Sequence, residues 1–478
     1  MADTAPAPAA AGPPRRGGLP AWASEARETL AIAWPLIAAQ LAQHGLTAVD
    51  TVMMGWLGAE YLAAGALGAT VVFNVLMFGF GVVTALSPMI SQAVGARRPR
   101  EVRRTVRQGL WVCIALSAVM IPVIANGAAA LALLGQSARS VALADDYLAA
   151  AAWQVPWALG ALALRPLLAT HGAQRTVFHV MAAAIGLNVV LNWLLMFGNL
   201  GFPRLELAGA GIATAIVNLA VFGALLRVAL TRPGMRRYAL LGRFWRADWP
   251  RFGQILRLGG PIGATLVAES GLFAAAAILM GLISTEALAA HAVAIQLASI
   301  AFMVPYGLSQ ATTVRVGIGW GAGDPGAARR AGQLSMGVAA LFMSGTAALF
   351  WFSPAPLVGL FLDRSADGDA GPFALAVSFL AVAALFQLAD GVQAAAAGAL
   401  RGLGDTARPM ALALVGYWLV GLPSAGLLGF GVGLGGVGVW LGLAAGLGFA
   451  AVVLPLRFAR LTRAPRLRTA SGQPTAGD

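Results

Sequence analysis

The 478-residue chain has no lysine, one cysteine and only 11% charged residues. A soluble chain of this size carries about twice that charged fraction. A lone cysteine excludes an intrachain disulfide, and Cys113, inside the apolar run WVCIALS, reads as a small core residue. HExxH, GxSxG and Walker A motifs are missing, and the four histidines share no metal-ligand spacing. No enzyme activity, cofactor or direct use of ATP is therefore expected. The N-terminus, MADTAPAPAAAGPPRRGGLP, lacks the apolar segment of a signal peptide and reads as a disordered tail, residues 1–27.

What is abundant is apolar sequence. Hydrophobic residues make up 59% of the chain, and the mean hydropathy is +0.77. Segments of about 20 apolar residues, the length that spans a bilayer, recur from Leu30 to Arg457. The short alternating segments of a β-barrel are not the pattern here. The expected fold class is an all-α polytopic membrane protein of about twelve helices in two pseudo-symmetric six-helix lobes. The span cores are Ala31–Met54, Leu62–Ala85, Leu110–Ala132, Leu148–Leu168, Val177–Phe197 and Ala208–Leu230. Six more follow: Gly259–Leu282, Leu288–Leu308, Ala331–Trp351, Phe373–Ala397, Met410–Phe430 and Val437–Leu454.

The net charge of +13 comes from arginine. It points away from nucleic acid, because the arginines lie between apolar spans, in ARRPREVRR, in the segment Arg227–Arg257 and beyond Arg457. The alternate loops hold WLGAEY, the Asp145–Asp146 pair and LDRSADGDAG. Positively charged loops stay on the cytoplasmic side, so both termini are expected on that side of the membrane.

The chain also repeats. Pro35 matches Pro261, Gly45-Leu46 matches Gly271-Leu272, and Met54-Gly55 matches Met280-Gly281, all 226 residues apart. Gly95-Ala96 matches Gly321-Ala322, and Arg103-Arg104 matches Arg329-Arg330, at the same offset. Six spans per copy is an even number, so both copies run the same way and an axis along the membrane normal relates them. The expected organisation is a first lobe over 28–230, a basic linker over 231–251, a second lobe over 252–461 and a disordered tail over 462–478.

Three carboxylates fall inside spans: Asp50, Glu269 and Asp390. An ionisable residue within the membrane marks a functional site by default. Gln43, Thr47, Asp50 and Met54 recur at helical steps, flanked by Gln40 and His44. Thr265 lies one turn before Glu269, Gln387 and Gln393 lie three residues either side of Asp390, and Asn188 and Asn192 lie four apart. Amides can satisfy a carboxylate or ligate a cation through oxygen; plain interhelical hydrogen bonds are the duller alternative. The carboxylates can take up a proton or hold a monovalent cation such as sodium. Gln40, Gln43, His44, Thr265, His291, Gln387 and Gln393 are read as lining a substrate cleft between the lobes. Phe302, Met303 and Tyr306 suit apolar rings there but suit helix packing better.

The motifs LTAVDTVMMGWLGAEYLAAGALG, AAHAVAIQLASIAFMVPYGLSQATTVRVG, DGVQAAAAGALRGLGDTARP and YWLVGLP occur in order. Through them the chain, from about Glu28 to Leu461, resembles the multidrug and toxic compound extrusion (MATE) transporters, in the norfloxacin-efflux branch. The resemblance implies a V-shaped central cleft and a monomeric antiporter that exports amphipathic, often cationic, compounds against sodium or protons. It implies cation-coupling roles for Asp50, Asn188, Asn192 and Thr214 in the first lobe and for Glu269 and Asp390 in the second. One departure stands out: some sodium-coupled relatives carry a tyrosine where this chain has Phe386. That leaves sodium and proton both open. A lipid-linked precursor flippase of the same superfamily is the alternative, and would call for an arginine-rich cleft.

Overall fold

The computed structural model describes residues 19–362 and 371–463. Twelve long helices run through them. In the first half they are α1 (Leu19–Leu57), α2 (Ala59–Gly95), α3 (Pro99–Ala125), α4 (Ala138–Thr170), α5 (Gln174–Leu195) and α6 (Glu206–Thr231). In the second half they are α7 (Trp249–Ile283), α8 (Thr285–Gly321), α9 (Pro325–Phe352), α10 (Pro372–Leu403), α11 (Ala407–Gly431) and α12 (Gly435–Arg463). Eleven are long and apolar enough to cross a membrane. The exception, α1, has 39 residues and falls short in hydropathy because Gln40, Gln43, His44 and Asp50 interrupt its apolar run.

Local chemistry sets the helix ends. Asp248, Ser284 and Asp324 accept from the backbone N–H three residues on and cap α7, α8 and α9. Proline occupies the first turn of α3, α7, α9 and α10, where its missing N–H is harmless. Gly404, at φ 83°, closes α10 in the left-handed conformation. Within α11, wider π-helical turns occupy Val415–Gly421 and Leu427–Gly431.

Two boundaries differ from the sequence reading. The chain is helical from Leu19, inside the expected tail 1–27, and α12 runs on to Arg463, inside the expected tail from 462. The first difference has a cause: Glu25 and Glu28 on the α1 extension both pair with Arg315 of α8, at 2.6 and 2.7 Å. The rest of those tails, and most of the loop LDRSADGDAG, lie outside the described residues.

Each half forms its own apolar core, one dominated by α2–α6 and one by α7, α8 and α10–α12. Between the halves, α1 and α2 pack on α7 and α8. Glycine permits this approach. A Cβ on Gly81 would fall 2.2 Å from the Cα of Gly263, and one on Gly307 would fall 2.8 Å from the Cα of Ile37. A Cβ on Gly95 would fall 2.1 Å from the Ile318 oxygen, and one on Gly321 would fall 2.1 Å from the Gln92 oxygen. Each contact is the other's image at the 226-residue offset (81 to 307, 37 to 263; 95 to 321, 92 to 318). The internal repeat is therefore a repeat in space as well as in sequence. These contacts run from the middle of the helices to the arginine-rich end.

Candidate functional site: two buried polar clusters

In the first lobe, α1, α5 and α6 converge on one carboxylate. Asp50 Oδ1 accepts from Asn192 Nδ2 at 2.7 Å and from Asn188 Nδ2 at 3.1 Å, and Oδ2 accepts from Thr214 Oγ1 at 3.2 Å. Asn192 Nδ2 also reaches Asn188 Oδ1 at 3.3 Å, which locks the two amides in register. Both asparagines are buried, 1% and 0% exposed. Their spacing of four residues puts them on one face of α5, turned into the lobe. The buried ring of Tyr147 stands within electrostatic range of Asp50, a neighbour that its apolar sequence context hid. Hydrogen bonds to a charged acceptor contribute about 1.5–3 kcal/mol each, so this cradle can hold an ionised Asp50 away from water.

The second lobe is arranged differently. Asp390 and Gln387 face inward on α10, with Gln393 beside them, all nearly or fully buried. Gln393 Nε2 donates to the Tyr417 hydroxyl at 2.5 Å. Beyond that bond, Asp390 Oδ1, both amide atoms of Gln387, Gln393 Oε1, His291 Nδ1 and Trp440 Nε1 are buried with no hydrogen-bond partner among the described residues. His291 packs on Trp440 at 5.4 Å between ring centroids, and Phe386 packs edge-on to Trp440 at 5.6 Å. Glu269, on α7, is close enough for its charge to act on Asp390. Buried polar atoms are almost always paired; a group of them unpaired together is suited to hold an ion or water.

Residues assigned to the cleft divide into four groups. Gln40 and Gln43 accept from Arg165 of α4 at 3.3 and 3.1 Å. Thr265 donates to the Pro261 carbonyl at 2.8 Å, one turn back on its own helix. His44 is exposed on α1. Gln387, Gln393 and His291 are inside the second lobe, with the Asp390 cluster, and do not line an open cleft.

Arginine also reaches the carboxylates. Arg401 on α10 acts electrostatically on Glu269 and donates to Ser309 Oγ at 2.7 Å. Arg165 and Arg401, one from each lobe, both act on Tyr306. The signal was available: Arg401 follows Asp390 by 11 residues, three helical turns, on the same face. His171 closes α4, and its Nε2 meets the Tyr238 hydroxyl at 2.9 Å.

Two repeated lobes of membrane helices, each enclosing a buried polar cluster, define a polytopic transporter. The MatE family model matches residues 35–194 and again 261–427, two copies whose starts lie the same 226 residues apart, and the chain belongs to that family. It is a transporter and not an enzyme. The chain is 47% identical to "Probable multidrug resistance protein NorM" of Mesorhizobium japonicum, over 92% of this chain and 95% of that one. It is 43% identical to the protein of the same name from Brucella suis, over 92% and 94%. Among solved structures, a MATE transporter in the straight conformation superposes with a TM-score of 0.82 at 18% identity, covering 92% of this chain and 96% of that one. The eukaryotic MATE transporter AtDTX14 superposes with a TM-score of 0.78 at 23% identity, covering 92% and 99%.

Proposed function

We propose that this protein is a cation-coupled multidrug antiporter. It exports amphipathic, often cationic, compounds from the bacterial cytoplasm by alternating access, with protons or sodium as the driving ion. It works as a monomer in the cytoplasmic membrane, with both termini inside. The carrying observation is the Asp390 cluster, where a carboxylate oxygen and five neighbouring polar atoms are buried without partners among the described residues. Ion capture there changes the charge enclosed by one lobe. A ligand shifts a conformational equilibrium only by its differential affinity for the two states, and a buried, state-dependent ion site provides that difference. Asp50 and its amides form a second point of charge in the other lobe. The relatives' names supply the substrate class, and the two relatives above are named for multidrug resistance and not for lipid flipping.

The test is uptake of an amphipathic cation into liposomes holding the purified protein, under a pH gradient alone and a sodium gradient alone. One gradient should drive uptake in the wild type. Asp390→Asn and Glu269→Gln should abolish it while leaving the folded protein intact. Wild-type uptake by both variants would overturn the coupling role of this cluster.

A further inference from the structure

The linker between the lobes is not a loose strap. Arg107 Nη1 of α3 donates to the Arg243 carbonyl at 3.0 Å, Gln108 Nε2 to the Arg246 carbonyl at 3.2 Å and Trp111 Nε1 to the Phe244 carbonyl at 2.9 Å. Trp111 also stacks on Phe244, with centroids 5.4 Å apart and the rings 20° from parallel. Docking is close enough to hold Arg243 itself at φ 57°, a left-handed conformation unusual for a side-chain-bearing residue.

Docked this way, the linker and α3 enclose a cavity of 770 Å³ at the arginine-rich end of the bundle. Arg103, Arg104, Arg107, Arg243 and Arg246 line it, against a single acid, Asp248. That acid is already engaged, since Arg104 Nε donates to it at 2.6 Å. Four guanidinium groups therefore share the cavity without a carboxylate to match them. Arg107 is only 7% exposed, and the charges of Arg103, Arg104 and Arg246 all act on it. The Nε atoms of Arg103 and Arg107 are buried with no hydrogen-bond partner among the described residues. Gathering like charges around buried, unpaired donors is unfavourable unless an anion completes the site.

We propose that this cavity binds a phosphate-bearing anion, and that the anion is the headgroup of an acidic phospholipid. Arginine forks match phosphate oxygens in pairs, which fixes the shared chemistry. The tryptophans choose the source. Trp249 lines the cavity and is 73% exposed, and Trp245, in the same linker, is 79% exposed. Tryptophan at a span's end sits at the headgroup level of a bilayer. Basic pockets at the ends of membrane helices are suited to acidic headgroups. A bound headgroup would bridge α3 of the first lobe and the strap leading into α7, and so tie lipid composition to how the two lobes are joined.

Native mass spectrometry of the full-length protein, titrated with phosphatidylglycerol or with phosphatidylcholine of the same acyl chains, tests this directly. Arg243→Gln with Arg246→Gln is the informative pair, because both residues dock through backbone carbonyls that the substitutions keep. Arg236→Gln with Arg460→Gln is the control pair, equal in charge lost and outside the cavity. Phosphatidylglycerol should be retained in preference to phosphatidylcholine. Each cavity arginine should be worth about fivefold in affinity, so the first pair should weaken retention about 25-fold and the control pair hardly at all. Equal retention of the two lipids, or equal loss in the two variant pairs, would overturn the site. Full displacement of the lipid by millimolar inorganic phosphate would overturn the lipid assignment in favour of a free phosphate.

Discussion

Asn192 makes the shortest of the three hydrogen bonds to Asp50, and it is fully buried. Replacing it with alanine leaves a carboxylate short of a donor where water has little access, at a cost of about 1–3 kcal/mol. Asn192→Ala should lower the melting temperature in detergent by several degrees, whereas Asn218→Ala, whose amide bonds the Thr214 carbonyl of its own helix, should not. Phe386 argues a different point. It lies one turn before Asp390 and packs on Trp440, so a hydroxyl added there would be delivered among the unpaired atoms of the cluster. If sodium is the driving ion, Phe386→Tyr should lower the sodium needed for half-maximal uptake about fivefold, one ligand oxygen contributing ~1 kcal/mol. Unchanged sodium dependence would show that the oxygen does not reach the ion. Much of this was legible in the residues. An acid in an apolar run and amides four apart mark polar faces, because lipid offers them nothing. Tyr147, Tyr417 and Trp440 were not legible, since an aromatic in a membrane span looks the same whether it meets lipid or a carboxylate.

At the scale of elements, helix existence followed from apolar length, and helix ends did not. The α1 extension escaped notice because Glu25 looks like a tail residue until Arg315, 290 residues away, is brought to it. The linker escaped for a similar reason: its arginines read as orienting charge, and only folding shows that their carbonyls are docked on α3. Asp248 both caps α7 and accepts from Arg104, and the Arg104 guanidinium holds its carboxyl below the ordinary carboxylate range. A depressed folded-state value means the contribution is fully present above the unfolded value, about pH 3.9, and is lost as pH falls through the lowered one. Hydrogen exchange of residues 242–252 should therefore stay slow down to about pH 4. In Asp248→Asn the same amides should exchange faster already at pH 7, and equal protection in both proteins would show that the cap and the pair do not anchor the linker.

For the whole molecule, the two-fold relation is most telling where the lobes touch. Gly95 on the Ile318 carbonyl and Gly321 on the Gln92 carbonyl are one contact made twice, and the Glu25–Arg315–Glu28 pairs lie on the same side of the membrane. A transporter that alternates must break this set to open its arginine-rich end, so the set cannot be too strong. Partly exposed ion pairs and glycine contacts suit that need: they hold the lobes together without the large apolar burial that would make separation slow. Gly321→Val places methyl groups where even a Cβ would fall 2.1 Å from a carbonyl oxygen, and the backbone there has little room to yield. The substitution should bias the equilibrium toward the state open at the arginine-rich end. Spin labels at Arg98 and Asp324, in a Cys113→Ala background, report on that opening through the distance between the two loops. The valine variant should show a longer distance, and adding Gly95→Val should lengthen it further or deplete the short-distance population. A distance distribution unchanged by both substitutions would mean that these glycines do not form the closure, and that polar ties such as the Arg315 pairs and the Gln92 bond to the Gly402 carbonyl hold the lobes at that end.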